Sequence, residues 1–196
     1  VRGRMTFELH DLALGRALAN RHALRRTDNE WWNQTAHASD TLVLPTNHGM
    51  VTTVGTRLRF VPASELGDFT LAYLGEHADV NYATVLEDTD DWPAEWEWQN
   101  LRSVGKDLDA LESGLATSAV ALSNWHRNHT HCSQCGAATF VTNAGWVRQC
   151  PIDGSQHFPR MDNAVIVSVV DSADRILLAR QTCLLYTSDA ADDTPC

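Results

Sequence analysis

Cys132-Ser133-Gln134-Cys135-Gly136, Cys150-Pro151-Ile152-Asp153-Gly154 and His157-Phe158-Pro159-Arg160-Met161-Asp162 follow one another within residues 132–162. The first is a C-x2-C pair, a spacing that lets two thiolates reach one ion from a tight turn. Gly136 gives that turn the backbone freedom it needs. The second has the outline of another such turn, with Asp153 standing where a fourth cysteine belongs. Zinc takes four tetrahedral ligands, and a carboxylate oxygen is an accepted donor. The expected ligands are therefore Cys132, Cys135, Cys150 and Asp153. His157 is the alternative fourth, with His129 and His131 also near.

The fold class read outward from this stretch is α+β. Residues 130–160 form a small zinc ribbon. A β-rich run over 164–170, a turn over 171–174 and a return over 175–179 make a hairpin. An isolated hairpin is marginal in water and needs further sheet. Two other readings apply to the same cysteines. One is a metal-free ribbon held by packing, with Trp146 and Phe140 as its core. The other is redox chemistry at Cys132 and Cys135, which no thioredoxin-like βαβ pattern accompanies.

Upstream, residues 107–129 carry the clearest helical pattern. Leu108, Leu111, Leu115, Leu122 and Trp125 recur at three- and four-residue spacing. Acids lie toward its start and His126, Arg127 and His129 toward its end, as the helix dipole favours. Residues 1–106 read as a mixed domain with an antiparallel sheet. A short helix begins at Thr27-Asp28 and carries Trp31 and Trp32 inward. Apolar runs at 41–44, 50–54, 58–61, 69–74 and 82–86 alternate with Pro and Gly turn residues and predict an antiparallel meander. The acidic, Trp-rich residues 87–98 read as a loop with one or two rings tucked beneath it, a binding platform being the alternative.

The chain has 196 residues, 43% of them hydrophobic, and a net charge of −10. That is enough for a core, and the acidity argues against a groove for bare nucleic acid. No run is long enough to cross a membrane as a helix. Five cysteines and a charged N-terminus unlike a signal peptide point to a reducing, cytoplasmic location.

Residues 101–181 resemble the zinc-ribbon NADH pyrophosphatases of the Nudix hydrolase superfamily. The resemblance rests on Leu101-Arg102, residues 108–115, residues 121–127, Cys132-Ser133-Gln134-Cys135-Gly136 and Gly145-Trp146. It continues through His157-Phe158-Pro159-Arg160-Met161-Asp162, Val165-Ile166-Val167 and residues 176–181. It implies hydrolysis of NADH or NAD to a nicotinamide mononucleotide and AMP, and removal of NAD caps from RNA 5′ ends by related members. It also implies a homodimer, structural Zn2+ and catalytic Mg2+ or Mn2+. By position, Phe158 matches an aromatic residue beside the substrate and Arg102 a substrate-contacting base. The plainer readings are a core ring for Phe158 and a surface ion pair for Arg102.

The family's chemistry needs the Nudix box, G-x5-E-x7-R-E-U-x-E-E-x-G-U with U aliphatic, whose glutamates hold the catalytic metals. Here the last glutamate is Glu112, so no catalytic residue is assigned. The sequence therefore reads as a C-terminally truncated fragment, inactive alone, with the Nudix α/β domain begun over 161–181. Residues 182–196 match nothing expected there and read as a non-native tail resembling adapter read-through. Asp189, Asp192 and Asp193 then stand in a solvated tail. The competing functional class is a non-enzymatic zinc-ribbon module binding RNA or protein.

Overall fold

The computed structural model describes residues 12–160 and 169–177. Contacts divide the chain into two units, Val1–Pro159 and Arg160–Cys196. The expected strand over 164–170 lies largely outside the described residues, as do the second strand beyond Leu177 and the whole of 182–196. In the second unit, Val170 and Ile176 form an antiparallel bridge. Asp171 closes the turn between them, its carboxylate accepting from the Ala173 and Arg175 N–H groups.

In the first unit, α1 (Asn29–Ala36) starts where the Asp28 carboxylate accepts from the Trp31 N–H at 3.0 Å. Strands β1 (Leu42–Leu44), β2 (Thr46–Asn47), β3 (Met50–Val54), β4 (Arg57–Leu58) and β5 (Val61–Pro62) follow, then β6 (Leu71–His77), β7 (Val80–Val85) and β8 (Glu97–Asn100). Helix α2 (Leu101–Val104) precedes α3 (Ala110–Asn128). Asp109 caps α3 by accepting from the Glu112 N–H at 2.9 Å. The ribbon supplies β9 (Phe140–Thr142), β10 (Val147–Gln149) and β11 (Gln156–His157).

The expected antiparallel meander is corrected by the topology. The strands divide between two sheets, and β1 runs parallel to β7, pairing Leu42 with Tyr82 and Leu44 with Thr84. The first sheet has the order β5-β1-β7-β6. The second is built on β3, which pairs antiparallel with β2, β4 and β8. The run read as one strand over 58–61 is split between β4 and β5, which belong to different sheets. The segment read as an acidic loop ends in β8. Trp92 stacks on both Phe69 and Trp96, with Trp98 beside them, so three indoles rather than one or two are gathered there.

Period-two alternation explains the burial of the first sheet. Val43, Ala83 and Val85 point to one side, against Trp32, Phe69 and Trp92. Leu42, Leu44, Tyr82 and Leu86 point to the other, where Leu115, Ala116, Ala119 and Leu122 of α3 cover them together with Val51 and Leu58 of the second sheet. Helix α3 thus closes the core over both sheets. Leu115 and Leu122 are almost fully buried, each worth about 2–3 kcal/mol in transfer free energy. Trp125 and His126 at the end of α3 are buried too, and they deliver the chain to the ribbon.

Candidate metal centre

The ribbon presents two turns of matching geometry. In the first, the Cys132 N–H donates to the Ala137 carbonyl at 2.8 Å and the Gly136 N–H to the Cys132 carbonyl at 2.9 Å. In the second, the Cys150 N–H donates to the Ser155 carbonyl at 2.9 Å and the Gly154 N–H to the Cys150 carbonyl at 3.1 Å. The Gln134 and Ile152 N–H groups each point at the leading sulfur of their turn, both at 3.4 Å. Gly136 and Gly154 have φ of 74° and 72°, the left-handed region that favours glycine. The second turn is therefore a knuckle like the first, and Asp153 occupies its second ligand position.

The ligand atoms of Cys132, Cys135, Cys150 and Asp153 lie within 4.8 Å of one another. Cys135 Sγ is 3.4 Å from Cys150 Sγ, and Cys132 Sγ is 3.5 Å from an Asp153 oxygen. Zinc–sulfur bonds of about 2.3 Å in a tetrahedron place donor atoms about 3.8 Å apart. The set therefore fits one zinc ion, and all three cysteines are free thiols. His157 stands outside the cluster. Its Nε2 is 3.3 Å from Ser155 Oγ, which itself lies 3.3 Å from Cys132 Sγ.

Ser155, which the sequence reading passed over, organises the charge. Its hydroxyl and backbone N–H both donate to Asp153, at 2.5 and 2.9 Å, and hold that carboxyl well below the usual carboxylate range. The same hydroxyl, when its one proton turns to the sulfur instead, and the Cys135 and Gln134 N–H groups lower the Cys132 thiol to about 6. The Ala137 N–H favours the Cys135 thiolate, but the neighbouring Cys150 and Cys132 sulfurs push Cys135 up to about 11. A divalent cation at the centre would relieve that repulsion.

Within the first unit, the ribbon is seated on β6 and α3 by a few close contacts. Gly145 (φ 86°) lies so near β6 that a Cβ there would fall 2.3 Å from the Ala72 Cβ. Its carbonyl accepts from His126 Nε2 at 2.7 Å, while His126 Nδ1 accepts from Arg148 at 3.0 Å. A carbonyl can only accept and a guanidinium only donate, so His126 is the neutral Nε2–H tautomer. Burial lowers its pKa to about 4. Arg148 also donates to the Thr139 hydroxyl and carbonyl, at 2.7 and 2.8 Å. The Trp146 indole N–H donates to the Tyr73 carbonyl at 2.6 Å, with the Arg26 guanidinium 4.2 Å above its ring.

These contacts correct the core named in the packing-only reading of the ribbon. Phe140 is 49% exposed and is no core ring. Trp146 packs against the main core rather than inside the ribbon. Phe158, just past β11, is 56% exposed, so it is not a core ring either. Arg102 is exposed on α2, and its guanidinium makes no ion pair among the described residues. Neither Phe158 nor Arg102 belongs to the metal cluster. His126 and Arg148 were missed as ribbon supports. Their one sequence signal is an imidazole on the buried face of α3, next to Leu122 and Ser123.

Residues 127–158 match the family model described as the NADH pyrophosphatase zinc ribbon domain. Over 82 residues, 42% of its length, the chain is 49% identical to NAD-capped RNA hydrolases NudC of Mycobacterium bovis and Mycobacterium tuberculosis, covering 26% of each. It is 40% identical over 82 residues to the mitochondrial NAD(P)H pyrophosphatase NUDT13 of Mus musculus, covering 23% of it. The chain thus spans about a quarter of the length of these curated relatives. Among the described residues no helix is long and apolar enough to cross a membrane. With both knuckles in place and residues 127–158 matched, the ribbon of this chain is of the NADH pyrophosphatase type.

Proposed function

We propose that the chain is part of an enzyme that hydrolyses the pyrophosphate of NADH or NAD to nicotinamide mononucleotide and AMP, with NAD-capped RNA as a further substrate. The observation that carries this is the ribbon itself: three sulfurs and a carboxylate within 4.8 Å in a segment of the NADH pyrophosphatase type. Zinc there is structural, held by Cys132, Cys135, Cys150 and Asp153. It leaves no open position for a substrate, as structural sites do not. Phe158 and Arg102 are proposed substrate contacts. The exposed ring and a guanidinium with no ion pair among the described residues support those roles.

Pyrophosphate hydrolysis in this class uses Mg2+ or Mn2+ held by glutamates that polarise the phosphate and activate water. Residues 113–196 contain no glutamate. We therefore propose that these residues supply the non-catalytic part and turn over nothing alone, and that the full-length protein is a cytoplasmic homodimer bearing the Nudix box. The test is NADH cleavage with Mg2+ or Mn2+. Residues 1–196 are expected to match a metal-only blank. Turnover well above that blank refutes their inactivity, and a full-length product that leaves NADH intact refutes the substrate.

A further inference from the structure

A groove of about 470 Å3 opens between α1, the start of β6 and the ribbon segment 140–145. Its size falls in the range of small-molecule sites. Trp32, Phe69 and Phe140 line it with rings, and Asn29, Asn33 and Asn143 with amides. No Asp, Glu, Lys or Arg lines it, although a fifth of the chain is charged. His37 is the one ionisable side chain at its edge.

Two of the rings are held from behind. Trp32 meets Tyr73 edge-on at 5.8 Å, and Phe69 stacks on Trp92 at 5.2 Å. Phe140 is half exposed. Asn29 and Asn33 sit one helical turn apart on one face of α1. Their side-chain amides, and that of Asn143, make no hydrogen bond among the described residues. Asn143 and Ala144 have φ of 50° and 49°. Non-glycine residues rarely adopt that region, and such strain gathers at ligand sites.

The chemistry narrows the ligand. A phosphate would find no cation in the groove, and a cation no carboxylate. An aliphatic molecule would leave three amides unused. Flat rings with free amides beside them suit a neutral heteroaromatic carrying donors and acceptors on its edge, which is how proteins take up an unstacked base. We infer that this groove is a nucleobase-binding subsite, recognising the base and not the phosphate. The base can come from a free nucleoside or from an unstacked position in an RNA strand. The inference does not depend on the hydrolase reading, because it is tested by binding and needs no turnover.

The experiment titrates the zinc-loaded chain with adenosine, AMP and a short oligoadenylate, following backbone and side-chain amide NMR signals. Saturable shifts are expected at Asn33, Phe140 and Asn143 for all three. AMP should bind within about threefold of adenosine, with little salt dependence, since no phosphate is gripped. Tighter binding of the oligomer identifies a strand as the source, and equal binding a free nucleoside. Phe140→Ala should weaken adenosine at least about fivefold, with zinc content and melting unchanged, and Phe140→Tyr should restore it. Asn33→Ala, an exposed change on α1, should weaken binding as well. The proposal falls if adenosine gives no saturable shift, if AMP binds more than about tenfold tighter and loses this with salt, or if folded, zinc-loaded Phe140→Ala binds as the parent does.

Discussion

Gly145→Ala separates close approach from backbone strain. The added Cβ would stand 2.3 Å from the Ala72 Cβ and 2.5 Å from its Cα, and neither partner is a side-chain tip that can swing away. The left-handed φ of 86° adds its own penalty, roughly 1–2 kcal/mol for a residue with a Cβ. Overpacking adds about 1–3 kcal/mol. The sum is about 2–5 kcal/mol, a fall in melting temperature of about 4–20 °C for a chain of this size. Gly55→Ala is the control. Its φ is 61°, and its Cβ would meet nothing within 4 Å, so only the backbone penalty of about 1–2 kcal/mol applies. Thermal unfolding by circular dichroism, with both proteins zinc-loaded, should show Gly145→Ala melting about 2–12 °C below Gly55→Ala. If the two melt within about 2 °C of each other, the ribbon is not seated on β6 as described.

Three more outcomes can be checked. Metal analysis should find one zinc per chain. Cys150→Ser should lose it, Asp153→Asn should bind it more weakly, and His157→Ala should keep it; loss of zinc from His157→Ala with retention in Asp153→Asn would exchange their roles. Stability should rise with pH between about 4 and 6.5 through His126, because the unfolded imidazole takes a proton in that window and the buried one does not. The span amounts to roughly 3 kcal/mol. Glu112, raised by burial, acts in the opposite sense just above its ordinary value, so the comparison is with His126→Gln, whose melting should lack that rise.

How much of this was legible depended on the range of the interactions. The cap at Asp28 and the periodicity of α3 are local, and the sequence carries them openly, whereas the cap at Asp109 falls inside the helix read over 107–129. The Asp153 position was legible because a knuckle repeats within a few residues. The pairing of β1 with β7 was not, since nothing near Leu42 marks Tyr82 as its partner. Strand β8 was hidden by its composition: Glu97, Trp98, Gln99 and Asn100 resemble the acidic segment before them. Ser155 acts only through atoms that the turn brings to it. The groove draws its lining from segments scattered between Asn29 and Gly145, so no single stretch announces it.

A metal held by both knuckles is also a cross-link. It would tie residues 132–135 to 150–153 and close a ring through the ion, as a disulfide closes a loop. The three strands of the ribbon are two or three residues long, too short to persist unaided. Inside the ring lie Phe140, Asn143 and Gly145, which line the groove, and Gly145 also meets β6 and His126. The shape of that groove wall is thus tied to whether the ring is closed.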